Sequence, residues 1–159
     1  IMPNEVIMTL KGKELLESEL DHLVRVEREN TKKEIAEARE HGDLKENAEY
    51  HAAKEKQSHI EGRILEIQGR LSKAVVVDTS KQTGDKVMFG ATITLLDIEK
   101  DTQVTYQIVG EDEADFQSKK ISYTSPLGKA LMGKEEGDEV VVRAPKGDIE
   151  YEIQEVKYI

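Results

Sequence analysis

The chain has 159 residues, 35% of them charged and only 37% hydrophobic, a low apolar share for one compact globule. Its net charge is −10 and acids outnumber bases in both halves, which argues against tight, unaided binding to duplex DNA, where phosphates must be neutralised. The absence of cysteine excludes disulfides, thiol catalysis and thiolate zinc sites.

No apolar run approaches the ~18 residues that cross a bilayer. The opening IMPNEVIMTLKG lacks the basic region and long apolar core of a signal peptide. A cytoplasmic protein is the expectation.

From Thr9 to about Leu71 the sequence is rich in Glu, Lys, Leu and Ala, with no proline and one strong break at Gly42. Thr9 is a plausible N-cap for the first helix. Leu16, Leu20 and Leu23 form one stripe, and Ile60, Ile64, Ile67 and Leu71 another, both at helical spacing. In an antiparallel hairpin, facing residue numbers have a constant sum. Leu16 with Leu71, Leu20 with Ile67 and Leu23 with Ile64 meet that condition, and they place the turn between residues 43 and 44, beside Gly42. The stripe continues through Glu27, Asn30 and Glu34, with Val26, Ile35 and Ala38 drifting toward it. Apolar content therefore fades toward a tip that projects ~40 Å from Leu16 at 1.5 Å per residue.

After Leu71 the period changes. AVVVD (74–78), VMFGATITLLDI (87–98), VTYQIVG (104–110), KISY (120–123), EVVVRA (139–144) and IEYEIQEV (149–156) are β-branched or alternating runs bounded by turn residues. SPLGKALMGKEEG (125–137) reads as one short helix with Ser125 at the N-cap, Pro126 at N1 and Gly133 closing it. The fold class is α+β: a helical hairpin over 1–76 with its tip near 41–46, followed by a small antiparallel-sheet domain with one helix over 77–159.

The chain contains no Gly-rich phosphate loop, HExxH motif or G-x-S-x-G elbow. His41 and His51 lie ten residues apart across the turn, which is not a recognised ligand spacing. The run EDEAD (111–115) reads as a charged loop between strands. The tip holds the remaining chemistry. Asp43 and Glu46 fit a capping pattern in which Gly42 ends the first helix, Asp43 caps the second and Glu46 occupies N3. A carboxylate has about four lone-pair sites, and a cap uses one or two of them. The pair could therefore also complete a Mg²⁺ site supplied mostly by another macromolecule, since two carboxylates alone cannot give the six oxygens that ion takes.

The stretch AEAREHGDLKENAEYHAAKEKQ (36–57) closely resembles the tip of the bacterial transcript-cleavage factors of the Gre family. The resemblance extends over MTLKGKELLESELDHL (8–23), FGATITLLD (89–97), IVGEDEADF (108–116), ISYTSPLGKALMGKEEGDEV (121–140) and the last strand. It implies an N-terminal antiparallel coiled coil and a C-terminal domain like the FK506-binding-protein fold. It implies an auxiliary factor rather than an enzyme, whose globular domain docks at the rim of the RNA polymerase secondary channel while the coiled coil reaches down it. The family's acidic pair falls on Asp43 and Glu46, which would share a Mg²⁺ with the polymerase active site at the nascent RNA 3′ end, so that backtracked RNA is cleaved. Arg39 and Lys45 would assist, and docking would use Ser125 and Pro126. The chain would need no cofactor of its own, contact no membrane and act as a monomer.

Two rivals rest on other features. A prolyl isomerase would line its pocket with aromatics, but this chain has no Trp, two Phe and five Tyr, and Phe89 and Phe116 are expected in the core. A coiled-coil chaperone would grip clients with an apolar tip, and this tip is charged.

Overall fold

The computed structural model describes residues 4–79 and 82–159. The chain divides into two compact units, Glu14–Ala74 on one side and the residues up to Lys13 together with Val75–Ile159 on the other.

The first unit is the hairpin. Helix α1 (Leu10–His22) runs through a π-helical turn at Leu23–Glu27 into α2 (Arg28–Arg39), and α3 (Ala48–Ser72) returns. The midpoint between the end of α2 and the start of α3 falls between residues 43 and 44, where the facing stripes place it. Gly42, at φ +102°, follows the last turn of α2, a backbone region open to glycine. Leu16, Ile60, Ile64 and Ile67 are buried in the seam.

Toward the tip the seam differs from the sequence projection. Ile35 and Ala38 enter the seam as the drift predicts, but Thr31 joins them, one residue later than Asn30, and Val26 stays 41% exposed. The π-helical turn is the cause. The Arg28 N–H bonds to the Leu23 carbonyl five residues back, which admits one extra residue and rotates everything beyond it. Charged pairs tie the helices along their edges. Arg63 grips Glu19 through Nε and Nη2 at 2.6 and 2.9 Å, and Arg28 grips Glu61 likewise at 2.8 Å each. Lys56 reaches Glu34 at 3.2 Å.

The second unit holds a five-stranded sheet in the order β5-β4-β3-β7-β6. Its strands are β3 (Thr92–Asp97), β4 (Thr102–Val109), β5 (Lys120–Ser122), β6 (Glu139–Ala144) and β7 (Gly147–Lys157). All pairings are antiparallel except β4 with β5, so the sheet is mixed rather than purely antiparallel. The connection from β4 to β5 contains one 3₁₀ turn (Phe116–Ser118), which lets β5 run alongside its predecessor in the same direction. Ile93 and Leu95 alternate inward from β3 to meet Ile108, Ile153 and Leu131. Helix α4 (Pro126–Leu131) is shorter than the 125–137 stretch, and β3 starts at Thr92 rather than at Val87. Phe89 is in the core, but Phe116 is 66% exposed.

A strand not read from the sequence, β1 (Val6–Thr9), pairs with β2 (Ala74–Val77). It changes the division at 76/77: Ile7 belongs to the core that β3, β4 and β7 build, so β1 packs with the C-terminal unit. The β1 backbone passes so close to Gly110 that a Cβ there would stand 2.5 Å from the Ile7 carbonyl oxygen. Thr9 caps α1 as expected, accepting from the Gly12 N–H at 3.0 Å. Its hydroxyl donates to the buried carboxylate of Glu113, which also pairs with Lys120 at 3.2 Å. The 111–115 run is therefore not solely a solvated loop.

Candidate functional site at the hairpin tip

Residues 40–47 link α2 to α3, and the tip's chemistry is set by where α3 begins. Asn47, not Asp43, is its N-cap: the backbone is extended there, and the side-chain Oδ1 accepts the Tyr50 N–H at 3.0 Å. Asp43 and Glu46 were expected to start the helix, as cap and N3. Both lie instead in the loop before it, because Asn47 offers the better-placed acceptor. Asp43 turns on itself, its Oδ1 taking the Lys45 N–H at 3.1 Å, the pattern of an Asx turn. Glu46 is exposed and has no hydrogen-bond partner among the described residues.

The two carboxylates nevertheless come together. Asp43 and Glu46 line one shallow, open depression with His41, Asn47, Ala48 and Glu49. Both are oxygen donors facing solvent, at least one lone pair of Asp43 is already engaged, and Glu46 is wholly available. Among the described residues no group of three or more His, Asp or Glu side chains is placed to hold a metal ion. The histidines are occupied locally: His51 Nε2 lies 3.1 Å from the Lys45 carbonyl oxygen, and His41 lies 3.8 Å from Glu49.

Beneath the loop is a layer that sequence reasoning missed. Asn47 Nδ2 donates to the Ala38 carbonyl at 2.6 Å, joining the start of α3 to the last turn of α2. The Arg39 guanidinium lies 5.8 Å from the centroid of the Tyr50 ring, and Tyr50 meets His51 edge to face. The signal available in sequence was an Asn directly before Ala-Glu at the start of a long helical stretch. The Asp-x-x-Glu four residues earlier imitated a capping box and masked it. Lys45 contributes its backbone to two of these bonds.

The other sequence-predicted residues, Ser125 and Pro126, lie in the C-terminal unit. The Ser125 hydroxyl accepts the Gly128 N–H at 3.1 Å and donates to the Ser122 carbonyl at 2.6 Å, so it is consumed in capping α4. Pro126 occupies the first helical position and is exposed.

Comparison with known proteins agrees over both units. The family described as "Transcription elongation factor, N-terminal" matches residues 6–76, and "Transcription elongation factor, GreA/GreB, C-term" matches residues 81–158. The transcription elongation factor GreA of Anaeromyxobacter sp. (strain K) is 58% identical over 154 residues, covering 97% of this chain and 93% of the relative. That of Halorhodospira halophila is 55% identical over 156 residues, covering 98% and 99%. Among solved structures, the GreA factor homolog Gfh1 of Thermus thermophilus aligns at 30% identity over 96% of this chain and 99% of that one, with a TM-score of 0.44. With matches that run through the hairpin and the sheet domain alike, the chain belongs to the GreA/GreB family of transcription elongation factors.

Proposed function

We propose that this chain binds RNA polymerase, reaches its active site through the secondary channel with the hairpin, and stimulates Mg²⁺-dependent cleavage of backtracked nascent RNA. The observation that carries this reading is the tip itself: two solvent-facing carboxylates in one depression, one of them without a partner among the described residues. Mg²⁺ is commonly held by one or two carboxylates together with phosphate and water oxygens, so this donor set fits as part of a shared site and not as a whole one. Asp43 and Glu46 would hold the ion jointly with the polymerase; when bound, it supplies an activated water and stabilises the leaving oxygen. The chain's own work is to deliver the pair on a stiff support. Arg39 and Lys45 flank the acids as cations for the RNA phosphates. The exposed Pro126 ring and the α4 start beside it form the docking edge of the globular unit.

The test is a stalled polymerase complex carrying end-labelled RNA. Adding the factor shortens the transcript and restores its extension, whereas factor, RNA and Mg²⁺ without polymerase give no cleavage. Cleavage in the polymerase-free tube would overturn the auxiliary reading, and no cleavage in either tube would overturn the proposal.

A further inference from the structure

We infer that Asn47 is the positioning residue of the tip: its side chain locks the end of α2 to the start of α3 and thereby sets where Asp43 and Glu46 stand. This deepens the cleavage reading and rests on it. Asn47 uses both ends of its amide, Oδ1 on the Tyr50 N–H and Nδ2 on the Ala38 carbonyl. The orientation is forced, because a backbone N–H only donates and a carbonyl only accepts. One side chain thus bridges two helices directly below the loop that bears the acids. Without it, the loop from Glu40 to Glu46 would be held by the Asp43 turn, the His51 contact to the Lys45 carbonyl, the exposed His41–Glu49 pair at 3.8 Å and the weak terminal bonds of α2 at 3.1–3.4 Å. Glu46 adjoins Asn47 in sequence and makes no side-chain bond among the described residues, so the backbone at Asn47 sets its direction.

Side-chain chemistry separates this role from ordinary capping. Asp and Ser cap helices about as well as Asn. Asp lacks the N–H that reaches Ala38 and would set a carboxylate against that carbonyl. Ser is too short to serve both partners at once. Both substitutions therefore keep the cap and cut the bridge, and Ser does so without adding charge.

Asn47→Ser and Asn47→Asp are compared with wild type for thermal stability and for RNA cleavage in stalled polymerase complexes across a range of factor concentrations. Asp43→Asn is run in parallel. The expected result is a melting temperature within a few degrees of wild type, lower for Asn47→Asp than for Asn47→Ser, and an unchanged half-saturating concentration for both Asn47 variants. Their maximal cleavage rate falls about tenfold or more, as for partners that orient a metal ligand. Wild-type maximal rates in both variants, with Asp43→Asn inactive, would overturn the positioning role and leave the cleavage reading standing. An Asp43→Asn protein as active as wild type would overturn the cleavage reading itself. A rise in half-saturating concentration with no loss of maximal rate would place Asn47 in polymerase binding and overturn the inference.

Discussion

Asp43 spends a lone pair on its own loop and Glu46 has no partner among the described residues, and at each of them a single substitution separates structure from ligation. Asn forms the same Asx turn as Asp, and Gln at an exposed, unbonded position changes little. Asp43→Asn and Glu46→Gln should therefore leave the unfolding free energy, read from thermal melts, within about 0.5 kcal/mol of wild type. Each amide, however, lacks the charge a hard cation needs. Stimulated RNA cleavage should fall steeply in both, with part of the loss recovered at raised Mg²⁺ and polymerase binding intact. In the other unit, Glu113 is a buried carboxylate held by Thr9 and Lys120. Lys120→Met leaves that carboxylate without its cation and should cost about 2–3 kcal/mol in chemical denaturation, while Glu113→Gln, which keeps an acceptor for Thr9, should cost less. Equal losses would show that the lost ion pair, common to both variants, and not the stranded buried charge, sets the cost.

Helix phase decides the next scale. The π-helical turn at Leu23–Glu27 carries one residue more than an α-helix of the same rise, so deleting Val26 should restore continuous α-helix and leave Thr31, Ile35 and Ala38 facing the seam. Deleting Lys33, in regular helix, should instead turn the following residues by ~100° and remove Ile35 and Ala38 from the seam. Circular dichroism melts are expected to show the Val26 deletion near wild type and the Lys33 deletion lower by several degrees. The edge pairs add a pH dependence. Hydrogen bonding from Arg63 holds the Glu19 carboxyl below its ordinary range, and Arg28 does the same for Glu61. Carboxylates lowered in the folded state stabilise it above their unfolded pKa of about 4.3, and that support is lost as pH falls through the lower folded values. Hairpin stability should be flat near neutrality and decline below about pH 4, with Glu19→Gln flattening the decline. Since both side chains of the Glu19–Arg63 pair are about a third or more exposed, it contributes no more than about 1 kcal/mol. The hairpin, its turn and most strands were legible because 3.6-residue and 2-residue periods are written in side-chain type. The extra residue of the π-helical turn carries no such mark: Leu23, Val24, Arg25, Val26 and Glu27 suit either helix. The cap at Asn47 was hidden by a second acceptable cap four residues earlier.

At the scale of the whole molecule, the first strand and Val75–Ile159 form one unit. β1 was not legible because four residues, Val-Ile-Met-Thr, announce a strand only through a partner, and that partner is β2 on the far side of the hairpin. Removing residues 1–9 should therefore weaken the sheet domain and leave the hairpin's helicity largely intact. The loss of buried Ile7 and Met8 alone is worth about 4 kcal/mol. A denaturation midpoint unchanged by the truncation would refute the shared core. The same pairing has a consequence in time. Thr9 and Glu113 are 104 positions apart, and translation at roughly 5–20 residues per second puts about 5–20 s between their syntheses. The hairpin from Glu14 to Ala74 closes on local contacts within that interval. β1 has its pairing partner β2 once the hairpin closes, but Gly110 and Glu113 are made later still, so the first strand to be made is among the last elements to be fully covered.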